Sequence, residues 1–397
     1  MFTFFQSSAP PAIRTTPDCQ TCRAYESCKY PKQSATTDNR RTVVVVDAVS
    51  EDVQHGIQVP TKYHRLLQRV GFSYARDAVV PATACHGAGD EDWKHCQPLL
   101  IDTIKKQNPE KIVIAGYKAL QSVIGWLWGE PAGEHTRWYG QAIPSRELNA
   151  WVFPVDWHNP LSNRTVSDIW AFRWAKAARD CPGRPYTDIP DYNEQFTIVH
   201  DPQELESYEE EILNSRMTAF DIETTGRKPE GDCHSIYSAA IAYLRQDGSS
   251  HCVSFLVTSE TEDFLKRYLQ SPVRKIGANN KFEIRWCRVI LNTDIRNFCW
   301  DTVISAHIED ARKGIVSVKF QAFAKLGIRY YAHAMEQYFD GDTNTDTNSI
   351  YSADQGTVLR YNAMDSLTEL DLGILQMQNA GILKNLTTRN LPEGMNG

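Results

Sequence analysis

A chain of 397 residues is too long for one ordinary hydrophobic core, so two or three domains are expected. Its 42% hydrophobic and 23% charged residues, with no apolar run long enough to span a bilayer, predict a soluble globular protein without a membrane partner. A net charge of −7 excludes a uniformly basic, histone-like binder, yet leaves room for local basic clusters beside acidic metal sites.

In chain order, residues 1–40 are polar and irregular, with Pro10-Pro11 and the cluster Cys19-x2-Cys22-x5-Cys28. The first residues lack a basic region followed by a long apolar run, so no secretory signal is expected and the protein reads as cytoplasmic. Cys19, Cys22, Cys28, Cys85 and Cys96 crowd the first hundred residues, and the other five cysteines are scattered. In a large chain without a signal, such clustering points to metal binding rather than disulfides. Four short apolar runs follow, at 42–46, 77–80, 111–115 and 151–155, with helical patterns such as 63–70 and 96–107 between them. Strands alternating with helices predict a parallel sheet covered on both faces, an α/β/α sandwich ending in a helix around 167–178. Residues 182–191 hold three prolines and a glycine and read as a linker. The predicted division is therefore a first domain at 1–182, a linker at 183–195 and a second domain at 196–397.

The second α/β pattern opens with the apolar run 196–200; Asp201 is the candidate N-cap of a helix reaching about Leu213. A short buried strand starts at Met217 and runs into Asp221-Ile222-Glu223-Thr224-Thr225-Gly226. A hairpin is predicted from 236–244 and 251–256 around Gln246-Asp247-Gly248. Another strand at 275–278 crosses through Asn279-Asn280-Lys281-Phe282-Glu283 into a helix with Phe282, Trp286 and Val289 as its apolar stripe. Tyr361 and Asp365 lie four apart in a late helical stretch.

The spacing of these acids carries chemistry. Residues two apart on a strand share a side, so Asp221 and Glu223 aim two carboxylates at one place, where a hard divalent cation is the usual counter-charge. Tyr361 and Asp365 share one helix face, and Glu283 falls on the first turn of its own helix.

Asp-x-Glu at a strand end, Asn-x3-Glu at a helix start and Tyr-x3-Asp on a late helix together resemble the DEDD exonucleases. The stretch is most similar to the 3′→5′ proofreading domain of family A DNA polymerases and their phage relatives. Trp300-Asp301-Thr302 and Leu326-Gly327-Ile328 fit that family, over roughly residues 196–380. Tyr361 marks the tyrosine subtype. The resemblance implies an RNase H-like α/β exonuclease domain using two Mg²⁺ or Mn²⁺ ions. Asp221 would bridge both ions, Glu223 and Asp365 would complete the site of one, and Tyr361 would orient the attacking water. Glu283 stands where bacterial relatives have aspartate, and its longer side chain leaves direct or water-mediated contact open. Asn279 and Phe282 would contact the DNA.

Four of the early cysteines, Cys19, Cys22, Cys85 and Cys96, form a thiolate set of the kind that holds zinc or an iron–sulfur cluster. The surroundings resemble the iron–sulfur uracil-DNA glycosylases over about residues 15–165. The matching residues are Ala82-Thr83-Ala84-Cys85, Cys96-Gln97-Pro98-Leu99, the run from Lys111 to Gly116, and His158-Asn159-Pro160. That resemblance implies a [4Fe-4S] cluster on these four cysteines, with Cys28 as the substitute. The family's glycine-containing loop after the first strand is replaced by Val46-Asp47-Ala48-Val49-Ser50, so the path of a flipped base is expected to be closed. Most of the tryptophans fall in this half, where core packing is the expected role.

Together these readings imply a phage-type replication protein, located in the host cytoplasm if phage-encoded. A metal-dependent 3′→5′ DNA exonuclease would proofread single-stranded or frayed 3′ ends, with the glycosylase-like domain as a scaffold for DNA or another subunit. About thirty residues follow Asp365, too few for a polymerase domain, so either the polymerase is a separate chain that this one joins, the preferred expectation, or the sequence is a fragment. The rival readings are a non-catalytic DNA-binding or polymerase-tethering module and a working uracil-DNA glycosylase.

Overall fold

The structure is a computed structural model that describes residues 41–47, 77–83, 93–155, 181, 183–231, 234–341 and 346–393. The all-valine run of β1 (Thr42–Val46) is buried on both faces, as strands in parallel sheets are. It pairs in parallel with β2 (Ala78–Pro81) and with β3 (Lys111–Ala115), Thr42 standing opposite Lys111. Helix α1 (Trp93–Gln107) precedes β3, and α2 (Tyr117–Trp128) follows it. The short β4 (Ile143–Ser145) adds the antiparallel edge, and β5 (Ala150–Val155) runs parallel to β3. The order is β2-β1-β3-β5-β4. All four strands expected from apolar runs are present. The expected helices at 63–70 and 167–178 lie outside the described residues.

The second sheet has six strands in the order β11-β10-β7-β8-β9-β6. They are β6 (Phe196–Val199), β7 (Thr218–Thr224), β8 (Ile236–Leu244), β9 (Ser250–Leu256), β10 (Lys275–Gly277) and β11 (Phe298–Asp301). β7, β8 and β9 form an antiparallel meander, while β6, β10 and β11 join in parallel. Asp201 caps α3 (Pro202–Leu213) by accepting from the Gln203 amide, as its place before Pro202 predicts. The amphipathic helices α4 (Glu262–Gln270) and α5 (Lys281–Ile290) cover the same face as α3, over a core that includes Phe220, Ile222 and Trp286. Val289, expected in the stripe of α5, is exposed; Phe282 and Trp286 carry the packing and Cys287 takes the third buried place.

Further on come α6 (Thr302–Glu309), α7 (Val318–Leu326), α8 (His333–Phe339) and the long α9 (Gln355–Asn379). α9 lies across the opposite face of the sheet, over a core containing Ala219, Ala240, Ala363 and Leu367. Small residues on the strands let this helix approach closely: Ser366 Oγ reaches the carbonyls of Ala219 and Ala240 and accepts from the Ala242 amide.

Helix α7 contributes to the core of each sheet, with Val318, Ala322 and Leu326 on the side of α9. Phe320, Phe323 and Ala324 of α7 pack among Trp128, Trp138 and the strands of the first sheet, with the Trp138 and Phe320 ring centroids 4.9 Å apart. Gly327 ends α7 at φ +65, and a Cβ there would fall 1.9 Å from the Pro144 carbonyl. Glycine is required at this contact. Residues 183–195 are largely exposed but anchored at a few side chains. Tyr186 and Tyr192 are buried, the Tyr186 hydroxyl donates to the Leu326 carbonyl, and Arg184 donates to the carbonyls of Asn108 and Asn149.

Candidate active site

Strand alternation decides which way the acids of β7 point. Phe220 and Ile222 enter the core under α3, α4 and α5, so Asp221 and Glu223 turn toward α9. There they meet Asp365. Carboxylate oxygens of Asp221, Glu223 and Asp365 all lie within 4.8 Å of one another. Asn362, one turn before Asp365, donates from Nδ2 to Asp221 Oδ2 at 2.6 Å, and its Oδ1 accepts from Ser238 Oγ. The Ser238 bond fixes the amide so that its NH2 faces the acid.

Glu283 arrives from the first turn of α5 and is 3% exposed, with Oε2 lacking a hydrogen-bond partner among the described residues. Asp301 sets its entry. That carboxylate caps α6 through the amides of Val303 and Ile304, and also accepts from the amides of Asn279 and Asn280 ahead of α5. Asn279 itself is exposed at φ +60, and Phe282 is half-buried against Trp286. Tyr361 projects from the same helix as Asp365, its ring 5.4 Å from that of Phe339 and 6.0 Å from that of Tyr331.

The pattern of charge is lopsided. Burial, and then the neighbouring Asp365, push the Asp221 carboxyl up to about 8. Burial followed by Asp221 raises Glu223 well above the usual carboxylate range, and the same two causes raise Glu283. Among the described residues, one cation answers them. Lys319, at the start of α7, places Nζ 2.6 Å from Asp365 Oδ2. Burial disfavours its charge, but Asp365, Asp221 and Glu223 outweigh that and hold the amine above the ordinary lysine value. The Tyr331 hydroxyl donates to the other Asp365 oxygen, and the Lys319 ammonium lies 4.7 Å from the Tyr361 ring centroid.

Crowded carboxylates with unmet buried oxygens fit hard divalent cations, which take oxygen ligands and remove the repulsion. The sequence had named Asp221, Glu223, Glu283, Tyr361 and Asp365, and the first two and the last form the tight group. Lys319, Tyr331 and Asn362 were missed. Asn362 sits beside Tyr361 in the motif and was within reach of a helix-face argument; Lys319 and Tyr331 arrive only through the tertiary fold.

Residues 196–372 match the family model for a 3′-5′ exonuclease. The matched stretch runs from β6 into α9 and contains every acid of the site. The chain is also similar to parts of solved structures. One is the POL domain of Pol1 from M. smegmatis in complex with DNA primer-template and dNTP, at 14% identity and TM-score 0.31, covering 48% of this chain and 29% of that one. Another is Brucella melitensis NrnC with bound Mg²⁺, at 14% identity and TM-score 0.33, covering 48% and 84%. A third is Trypanosoma brucei RNase D in complex with RNA U12, at 12% identity and TM-score 0.36, covering 48% and 64%. The chain thus spans under a third of the Pol1 chain. No curated protein matches it.

In the first sheet, Asp47 follows β1 and accepts from the backbone amides of Tyr117 and Ala119, so its carboxylate occupies the N-terminus of α2. Gly116, at φ +126, leaves the space: a Cβ there would meet Asp47 Oδ1 at 2.2 Å. Cys96 is buried within α1. Cys19, Cys22, Cys28, Cys85 and His158 lie outside the described residues. No helix among the described residues is long and apolar enough to cross a membrane.

Proposed function

We propose that the chain is a divalent-metal-dependent 3′→5′ exonuclease that removes nucleotides from single-stranded or frayed 3′ ends of DNA. It would serve as the proofreading component beside a separate polymerase chain in a phage-type replication system. The observation that carries the reading is the convergence of Asp221, Glu223 and Asp365 oxygens within 4.8 Å inside a domain matching a 3′-5′ exonuclease family. Asp221, Glu223 and Asp365 would hold two Mg²⁺ or Mn²⁺ ions, with Glu283 beside them. Such ions, when bound, would supply activation of the attacking water and stabilisation of the leaving oxyanion in phosphodiester hydrolysis. The protein's own contribution is placement. Asn362 fixes the Asp221 carboxylate, Asp301 fixes the start of α5 and with it Glu283, and Tyr331 holds Asp365. Tyr361, beside the acids, is suited to orient the water at the terminal phosphate. Asn279 is exposed at the start of α5 and Phe282 half-buried just after it, where a 3′ nucleotide would lie.

The N-terminal part would act as a scaffold for DNA or for the polymerase, stapled by a [4Fe-4S] cluster on Cys19, Cys22, Cys85 and Cys96. Two observations favour a scaffold over base excision: Asp47 fills the helix N-terminus behind the first strand, and α7 is inserted into this unit's core.

The test is a 3′-labelled oligonucleotide, DNA and RNA in parallel, incubated with the protein and Mg²⁺. Stepwise shortening of the DNA that disappears in Asp221→Ala supports the proposal. Retention of the strand on the protein without shortening would assign a binding module, and preference for the RNA strand would move the substrate away from DNA.

A further inference from the structure

Resting on the two-cation reading above, we propose that Glu369 belongs to the same site, as a fifth carboxylate that strengthens divalent-cation binding behind Asp221, Glu283 and Asp365. On α9, residues 362, 365, 366 and 369 share one face. Asn362 meets Asp221, Asp365 joins the acid group, and Ser366 bonds the carbonyls of Ala219 and Ala240. Glu369 therefore follows one turn beyond Asp365 on the face that lies against β7. It is 2% exposed, and its Oε2 has no hydrogen-bond partner among the described residues.

A buried acid with a purely structural task looks different in this molecule. Asp371, two residues on and also fully buried, accepts from Tyr192 Oη, Ser250 Oγ, Thr388 Oγ1 and Asn390 Nδ2. Every lone pair that could be met is met. Glu369, among the described residues, leaves Oε2 unmet. It joins Glu283 as a second buried carboxylate with an open oxygen, and both feel the charge of Asp221. Burial and then the charges of Asp221, Asp365 and Glu283 disfavour its ionised form, while Lys319 acts in the opposite sense. A buried carboxylate left open beside other carboxylates is costly unless a cation compensates it. Divalent cations supply that compensation, and they remove the need for the hydrogen bonds that Asp371 requires.

The experiment is a Mn²⁺ titration of the full chain followed by electron paramagnetic resonance, on the parent protein and on Glu369→Gln and Glu369→Thr. The variants should bind at least one Mn²⁺ roughly 10–100-fold more weakly, the usual effect of removing a supporting group at a metal site. Their melting temperatures in EDTA should not fall, because a neutral group replaces an uncompensated acid. Parent-like Mn²⁺ affinity in both variants overturns the proposal while leaving the exonuclease reading intact. A drop in melting temperature in EDTA with Mn²⁺ affinity unchanged also overturns it, by assigning Glu369 a packing role. A parent protein that binds no Mn²⁺ would instead remove the cation site itself.

Discussion

The Lys319 ammonium lies 2.6 Å from Asp365 Oδ2, and solvent reaches 7% of the Asp365 side chain. This is one lysine set among several carboxylates, on a helix whose Phe320 and Phe323 are anchored in the core of the first sheet. The ion pair therefore joins the acid site to the packing between the two halves.

Replacing Lys319 with methionine should leave Asp365 buried without its cation, at a cost of about 3–5 kcal/mol in the metal-free protein. Added Mg²⁺ supplies positive charge to the same acids, so the deficit should shrink. Melting curves in EDTA and in Mg²⁺ check this, and an equal loss under both conditions would mean that Lys319 acts through packing alone.

Asp221→Asn keeps the shape of the side chain and the bond to Asn362 while removing one charge of the group. Exonuclease activity should fall by about 10³-fold, the rate equivalent of roughly 4 kcal/mol of lost transition-state stabilisation. The metal-free protein should become more stable, because one of three crowded carboxylates is gone. Activity is read on a 3′-labelled strand and stability by thermal melting of the same preparation.

Stability of the metal-free protein should fall as pH rises. The Asp221 carboxyl is pushed up to about 8, and Glu223 and Glu283 move in the same direction. In the unfolded chain these groups titrate near 4, so from about pH 4 to about 8 the folded protein holds more protons than the unfolded one. Their contribution is fully present below the unfolded values and is lost as pH rises through the folded ones. Cation binding requires the ionised forms and releases those protons. Melting temperatures across this range should decline more steeply in EDTA than in saturating Mg²⁺; parallel curves would show that the acids are not the cation ligands.

Much of this was legible in the sequence because local rules governed it. The Asp201 cap, the hairpin around Asp247-Gly248 and the strand of Asp221 each depend on a few neighbouring residues, and each formed as read. Strand and helix periodicity paired Asp221 with Glu223 and Tyr361 with Asp365, and the resemblance to the DEDD exonucleases joined those pairs to Glu283. Lys319 was not, because its helix meets α9 only after the sheet is assembled. Glu369 sits at helical spacing from Asp365, but its spacing alone resembles that of any solvated acid. The burial of Tyr186 and Tyr192 also escaped, since the three prolines and the glycine of 182–191 signal a connection and say nothing of what these two rings will cover.

Gly327 offers a test of the contact between the halves. Alanine there must hold φ +65 and place a methyl 1.9 Å from the Pro144 carbonyl, whereas at Gly248, with φ +82, nothing lies within 4 Å. Gly248→Ala should cost about 1–2 kcal/mol from its backbone conformation alone. Gly327→Ala should cost clearly more, because the two halves must also separate. Comparable melting temperatures for the two variants would show that the contact near Pro144 gives way easily.

Asp221, Glu223, Glu283 and Asp365 are proposed to hold a pair of divalent cations. The most direct measurement is an anomalous difference map from crystals of the protein soaked in Mn²⁺ with a short single-stranded oligonucleotide. Two peaks beside Asp221, one of them also against Glu223 and Asp365, with a terminal phosphate across them, are predicted. A map with no peak there, or with Asp365 still paired to Lys319 in saturating Mn²⁺, would contradict it.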